Sequence, residues 1–187
     1  MKQKLQRCPW VSNNIEYIKY HDTEWGVPEH QEKKLFEMLI LESMQAGLSW
    51  LIILLKRKNY RKLLDNFDYK KISCYDENKI SKLLENKGII RNKLKIISIV
   101  NNARAFINIQ SKYGSFNKYI WGFVDHDNIT NKNKKLLSEI ISKELKKEGF
   151  NFVGPKICYS FMESIGIFNN HSEECFRYKE VEEINVI

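Results

Sequence analysis

Apolar residues recur along this chain at helical spacing, and no segment keeps the two-residue alternation of a half-buried strand. From Lys33 to Gln45 they fall at Leu35, Met38, Leu39 and Leu41, one stripe of a helix. Ala46-Gly47-Leu48 interrupts the stripe, and Ser49 is placed to cap a second helix that runs through Leu64. Asp76 opens a short amphipathic helix ending near Lys87-Gly88. Asn92 to Gln110 predicts a longer one, with Leu94, Ile97, Val100 and Ala105 among its inward positions. Phe116 to Val124 is a short aromatic helix, and Asp125 to Lys135 an exposed polar loop. Leu136 to Glu148 is amphipathic and stops at Gly149, and a last apolar helix ends at about Ile165. Asp22 to Pro28 reads as a turn-rich loop. The pattern predicts an all-α fold and, with no linker, repeat or low-complexity tract, a single domain over residues 1–187.

One carboxylate breaks the pattern. Glu42 lies seven positions after Leu35, four after Met38 and three after Leu39, on the apolar stripe itself. Burying a carboxylate is costly unless something pairs with it, which marks Glu42 as a functional candidate. Glu37, by contrast, is expected on the solvated face. Aromatic residues crowd the same stretch: Trp10, Tyr17, Tyr20, Trp25 and Trp50. Each alone is as well explained by core packing. Gathered around one buried acid, they would make a pocket for a flat heteroaromatic cation. Their faces supply stacking and cation–π attraction, and the carboxylate accepts hydrogen bonds from ring N–H groups.

Charge adds a partner class. The chain carries a net +8, while residues 173–187 hold five acidic and two basic side chains, so the body is more basic than the total. A basic body suits a polyanion such as nucleic acid, and a Lys-rich composition explains it equally well. Together with the aromatic pocket it points to a base flipped out of a duplex. No apolar export segment follows Met1, and the run Leu51 to Leu55 is too short to span a bilayer. A cytoplasmic location with no membrane partner is the expectation, with the cysteines reduced or metal-bound.

Cys8 and His21 form a C-x12-H pair, and His171 and Cys175 form H-x3-C near the other end. If helical, the second pair shares one face. Two thiolates and two imidazoles suit a closed tetrahedral zinc site, though spacing alone leaves two unrelated coincidences open. Cys74 and Cys158 have no ligand-like spacing and read as core residues. In Phe152-Val153-Gly154-Pro155-Lys156-Ile157 a glycine turn precedes a helix, so backbone N–H groups there would face a phosphate. The same sequence also fits an ordinary turn between helices.

Several blocks, in collinear order from Cys8 to Cys175, resemble one family. They include Cys8-Pro9-Trp10, Tyr20-His21-Asp22-Thr23-Glu24-Trp25-Gly26-Val27-Pro28, Leu35-Phe36-Glu37-Met38 and Leu41-Glu42. Gln45-Ala46-Gly47-Leu48-Ser49-Trp50, Gly88-Ile89-Ile90-Arg91 and the stretch from Phe150 to Met162 complete the set. These look like 3-methyladenine DNA glycosylase I. The likeness covers residues 8–175 and leaves 176–187 as an acidic tail.

The resemblance implies a helix-hairpin-helix DNA glycosylase fold whose N- and C-terminal segments are tied by one structural zinc. By matching position, Cys8, His21, His171 and Cys175 become its ligands. Tyr20 and Glu42 match residues that hydrogen-bond the extruded base, Trp50 the one that stacks on it, and Trp10 and Trp25 fall in pocket blocks. Gly154 and Lys156 match the DNA-anchoring hairpin. Apart from the resemblance, the break at Gly47 lies between Glu42 and Trp50, where Leu48 would either fill the gap left by an extruded base or pack inward. The implied reaction is hydrolysis of the N-glycosidic bond of 3-methyladenine in alkylated double-stranded DNA by a monomer, with Glu42 carrying the main catalytic contribution. Methylation makes the adenine a cation and a good leaving group. Many superfamily members carry an aspartate shortly after the hairpin. Here Ile167-Phe168-Asn169-Asn170-His171 has none, which leaves the group that orients the attacking water unassigned. A non-enzymatic binder of alkylated bases and a broader glycosylase are the rival readings, and 3-methylguanine stays open as a minor substrate. Lys156 stands where bifunctional relatives place a Schiff-base lysine, and a phosphate contact is the reading adopted here.

Overall fold

Helix α2 (Glu32–Gln45) runs through the middle of the molecule, and every residue from Leu35 to Met44 is buried. A helix apolar on nearly all sides has to be wrapped by others, and α3 (Trp50–Leu63), α6 (Lys93–Tyr113), α7 (Phe116–Trp121) and α9 (Pro155–Ser164) pack on it. The structure, a computed structural model, describes residues 5–124 and 131–185. Among them every regular element is helical. The remaining helices are α1 (Ile15–Thr23), α4 (Tyr69–Ile72), α5 (Glu77–Glu85), α8 (Asn131–Lys147) and α10 (Arg177–Asn185). Nearly all the buried apolar side chains join one hydrophobic cluster, Val100 and Val181 excepted. None of the described helices is long and apolar enough to cross a membrane.

The caps read from the sequence are present in part. The side chains of Asp76 and Asn92 accept from the N–H of Lys79 and Lys95, closing the first turns of α5 and α6. Ser49 occupies the N-cap of α3 without a side-chain hydrogen bond. Of the positions expected to face inward on α6, Val100 and Ala105 are buried and Ile97 is half-buried, whereas Leu94 is 69 % exposed; Ile96, Ile99, Ala103 and Phe106 are buried as well. The expected loop from Asp125 to Lys135 gives way to α8 from Asn131 onward, while residues 125–130 lie outside the described residues. Cys74 is exposed rather than core, and Cys158 is buried.

Three short helices escaped the sequence pattern for a common reason. Helix α1 buries only Tyr20 and His21, α4 has four residues held by Asp68, and α10, within the expected acidic tail, buries Val181 among charged neighbours. None carries an apolar stripe long enough to show a period.

Two contacts fix the elements around the site. Asn102, fully buried on α6, receives the N–H of Asn151 at 2.7 Å and donates to its carbonyl at 3.0 Å, pinning the α8–α9 hairpin as a neighbouring strand would. At the far end of α9, Glu29 N–H donates to the Ile165 carbonyl, and a Cβ on Gly166 would lie 2.5 Å from the backbone at Val27 and Pro28. Only glycine allows α9 to press so closely on the loop that follows α1.

Candidate active site and metal centre

The last turns of α2, the start of α3, the C-terminal half of α9 and the N-terminal segment enclose a cavity of about 190 Å³. Drug-sized pockets run roughly 300–1,000 Å³, so this one suits a single ring system. It is lined by Trp10, Tyr17, Tyr20, Trp25, Glu42, Gln45, Trp50, Ser160 and Glu163. Glu42 and the five aromatic residues grouped around it from the sequence are therefore brought together. Trp10 meets Trp25 edge-on at 4.8 Å between ring centres, and Tyr20 tilts against Trp50 at 5.2 Å.

Two polar atoms in this cavity are buried with no partner: Oε2 of Glu42 and Nε1 of Trp50. Natural interiors seldom leave such atoms unpaired, and the few they do leave are often the ones a ligand satisfies. One is an acceptor and the other a donor, facing a space bounded by aromatic rings. Burial, followed by the charge of Glu163, pushes the Glu42 carboxyl well above the usual carboxylate range. Burial and then Glu42 push the Tyr20 phenol well up too, so it stays a hydrogen-bond donor.

Glu37 corrects the sequence reading. It is buried, not solvated, and its Oε1 accepts from Arg57 Nε at 2.7 Å and Arg61 Nε at 2.8 Å. Arg57 also pairs with Glu24 at 2.7 Å. The arginines that neutralise Glu37 stand two and three helical turns along α3, which places them beside it only once α2 and α3 are folded against each other.

The break after α2 is a turn of defined type. Ala46 (φ −43, ψ 114) and Gly47 (φ 77) take the two central positions, and Leu48 N–H closes the turn on the Gln45 carbonyl at 2.6 Å. A positive φ at the second central position is the type II signature that selects glycine. Lys95, buried on α6, donates to the carbonyls of Met44 at 2.8 Å and Ala46 at 2.6 Å and holds the turn in place. Leu48 at its tip is 38 % exposed, so it does not pack inward. Gly154 is the N-cap of α9, and Lys156 is exposed in the first turn, outside the cavity lining and one turn before Ser160.

Gln45, Ser160 and Glu163 were not picked out as lining residues by sequence reasoning. For Glu163 the signal was available: a carboxylate follows Phe161-Met162 within an apolar helix, as Glu42 does in α2.

Next to this cavity, Cys8, His21, His171 and Cys175 converge with their ligand atoms within 4.8 Å of one another, all buried. The H-x3-C pair is not helical; Cys175 N–H closes a turn on the Ser172 carbonyl. The donor set fits a tetrahedral metal ion. Cys8 Sγ lies 3.4 Å from His171 Nδ1, and Cys175 Sγ lies 3.4 Å from His21 Nε2 and 3.5 Å from His171 Nδ1. Tetrahedral bonds of roughly 2.3 Å to sulfur and 2.0–2.1 Å to nitrogen imply a sulfur–nitrogen edge of about 3.6 Å. The outward ring nitrogens are also engaged: His21 Nδ1 with Asp22 at 2.8 Å and His171 Nε2 with the Trp25 carbonyl at 3.1 Å. Acceptors behind the imidazoles present the inward nitrogens as lone pairs, as metal ligands require. Burial lowers both imidazoles, His171 to about 4, which keeps them neutral. It raises Cys8 to about 11, a cost that a divalent cation offsets. Arg7 holds Asp22 at 2.6 Å, and Phe176 N–H donates to the Gln6 carbonyl, so both chain ends meet here.

A fold of helices closed around an aromatic cavity with unpaired acid and indole groups, beside a Cys/His cluster, defines a class. The methyladenine glycosylase family model matches residues 10–178, and this chain belongs to that family. It is 44 % identical to DNA-3-methyladenine glycosylase 1 of Escherichia coli (strain K12) over 182 residues, 93 % of this chain and 97 % of that protein. A crystal structure of a 3-methyladenine DNA glycosylase I superposes with a TM-score of 0.83 at 44 % identity, covering 91 % of this chain and 98 % of that one. The Staphylococcus aureus enzyme, solved to show its recognition of 3-methyladenine, gives 0.84 at 33 % identity, with 93 % and 97 % covered.

Proposed function

We propose that this chain is a monofunctional DNA glycosylase of base excision repair that hydrolyses the N-glycosidic bond of 3-methyladenine in alkylated duplex DNA. The observation that carries the reading is the unpaired Glu42 oxygen at the wall of a ring-sized aromatic cavity. A neutral base gains little from that carboxylate. A methylated adenine brings the positive charge and the N–H donors that Glu42 lacks, and the rings of Tyr20, Trp50, Trp10 and Trp25 face its π-surface. Because the base leaves as a neutral molecule, much of the acceleration comes from holding it extruded beside the acid.

The rest of the chain serves the same reading as one domain acting as a monomer. Gly154 and Lys156 at the start of α9 anchor the DNA backbone in the manner of a helix-hairpin-helix, and Leu48 fills the gap left by the extruded base, carried on the turn at Gly47. Cys8, His21, His171 and Cys175 would hold one structural zinc. Four protein ligands leave no open position for water, so its contribution is to join the two ends of the chain beside Trp10 and Trp25.

Purified protein incubated with methylated duplex DNA is expected to release 3-methyladenine and leave 7-methylguanine largely in place, as read by chromatography of the freed bases. Release of both to equal extent, or tight binding of alkylated DNA with no release, overturns the assignment; the second result would make it a binder that recruits other proteins.

A further inference from the structure

We infer that Glu163 is the general base of this site, taking the proton of the water that attacks the sugar while Glu42 holds the base. This rests on the glycosylase reading above and supplies the water-orienting group that the segment after the hairpin lacks.

Glu163 occupies the last turn of α9 and lines the same cavity as Glu42, together with Ser160 one turn earlier. The two acids differ in depth. Glu42 is buried and Glu163 half-buried, so Glu163 stands nearer the mouth. An extruded base enters the cavity and its sugar stays at the entrance, because the phosphates on either side remain with the duplex. The acid near the mouth therefore faces the bond that breaks.

They differ also in support. Glu42 has no partner for Oε2, whereas Glu163 Oε1 accepts from Asn170 Nδ2 at 2.5 Å. Asn170 is itself held from two sides, accepting from Lys134 Nζ at 2.9 Å and donating to the Tyr159 hydroxyl at 3.1 Å. Lys134 is buried with its ammonium 4.8 Å above the Phe168 ring, and its charge acts on the Glu163 carboxyl. A tethered acid is held in one orientation, as a base must be; a free acid with no donor awaits a cationic ligand. Burial raises both carboxyls, Asn170 and Lys134 pull Glu163 back, and Glu163 pushes Glu42 further up.

The step balances without any further reagent. The bond from C1′ to the base breaks with its electron pair going to the base, which leaves as neutral 3-methyladenine. Water oxygen bonds to C1′, one of its protons passes to the Glu163 carboxylate, and the other remains on the new sugar hydroxyl. Glu163 then returns its proton to solvent.

The test compares Glu163→Gln, Glu163→Ala and Glu42→Gln in the full chain. Glu163→Gln keeps an acceptor for Asn170, and its single-turnover excision rate should fall about 10²-fold, the lower range for loss of a general base. Its affinity for free 3-methyladenine, read from quenching of tryptophan fluorescence, should change less than about twofold, while Glu42→Gln loses that affinity. Formate should restore part of the rate to Glu163→Ala and none to Glu42→Gln. If wild type releases no 3-methyladenine, the proposed function itself fails. If wild type releases it and Glu163→Gln matches that rate, only the present inference is overturned. Loss of base affinity in Glu163→Gln, with no formate rescue of Glu163→Ala, overturns it too and assigns Glu163 to base binding.

Discussion

Glu37 and Glu42 are buried on the same helix, and only Glu37 has cations beside it. Arg57 and Arg61 each donate to its Oε1, whereas Oε2 of Glu42 meets no donor. The first acid belongs to the architecture that fastens α3 to α2. The second is held unpaired in a cavity, a stability cost that makes sense where a cationic ligand completes the pair.

The two acids should therefore respond in opposite directions to the same change. Glu37→Gln removes the buried charge that pairs with Arg57 and Arg61, leaving Arg57 only Glu24, a loss of about 3 kcal/mol in unfolding free energy. Glu42→Gln should be as stable as wild type at neutral pH, or more so, and should lose most of its excision activity. Urea denaturation of both variants checks the first half, and base release the second. Marked destabilisation by Glu42→Gln would show that Glu42 is a structural residue.

The stability difference should also depend on pH in a defined sense. The folded-state pKa of Glu42 is raised well above its ordinary 4.5, so between the two values the native protein holds a proton that the unfolded chain has released. The unfolded state then binds fewer protons, and stability falls as pH rises through that window. Glu42→Gln lacks this titration. Its advantage over wild type should be absent well below pH 4.5 and grow as pH rises toward and through the raised pKa. Denaturation series at several pH values measure it, and a difference that stays flat would contradict the burial argument.

Metal analysis should find one zinc per chain. Cys175→Ser should lose it together with several degrees of thermal stability. Asp22→Asn keeps the four ligands but replaces the carboxylate behind His21 with a neutral amide, and should weaken metal affinity by about 10-fold, the lower end for such supporting groups. Competition with a chromophoric chelator reads that affinity. Chelation that abolished excision while melting stayed normal would contradict a structural role.

Leu48→Ala and Lys95→Met address the turn between α2 and α3. The first removes the proposed wedge, and the second frees the turn from its two carbonyl anchors. Both should weaken binding to abasic-site duplex by about 10-fold, with Leu48→Ala leaving stability nearly unchanged because the side chain is 38 % exposed. Fluorescence anisotropy with labelled duplexes distinguishes this from a loss confined to intact DNA.

Lys156→Ala should reduce DNA affinity two- to fivefold, roughly one phosphate contact, and flatten its salt dependence. Borohydride should trap no covalent adduct on abasic DNA, since this lysine is exposed and outside the cavity lining. An adduct that vanished in the variant would add a lyase activity.

A resemblance to one family grouped Tyr20, Trp50 and the Cys/His pairs as candidates for one site. The sequence by itself determined the all-helical class, the helices α2, α3, α6, α8 and α9, and Glu42 as an acid on an apolar stripe. It could do so because long amphipathic helices repeat their apolar stripe, and because an acid on such a stripe is conspicuous. Only the tertiary structure decided what each acid meets. Glu37 and Glu42 look alike along the chain, and the arginines that neutralise one arrive from α3 after folding. Glu163 is separated from Glu42 by most of the chain, and its tether comes from Asn170 and Lys134 on other segments. The short helices α1, α4 and α10 were illegible because helices of one or two turns owe their stability to what they dock against, not to their own pattern. Periodicity reports what a segment needs to bury, and the partner that meets it is settled by distance in the folded chain.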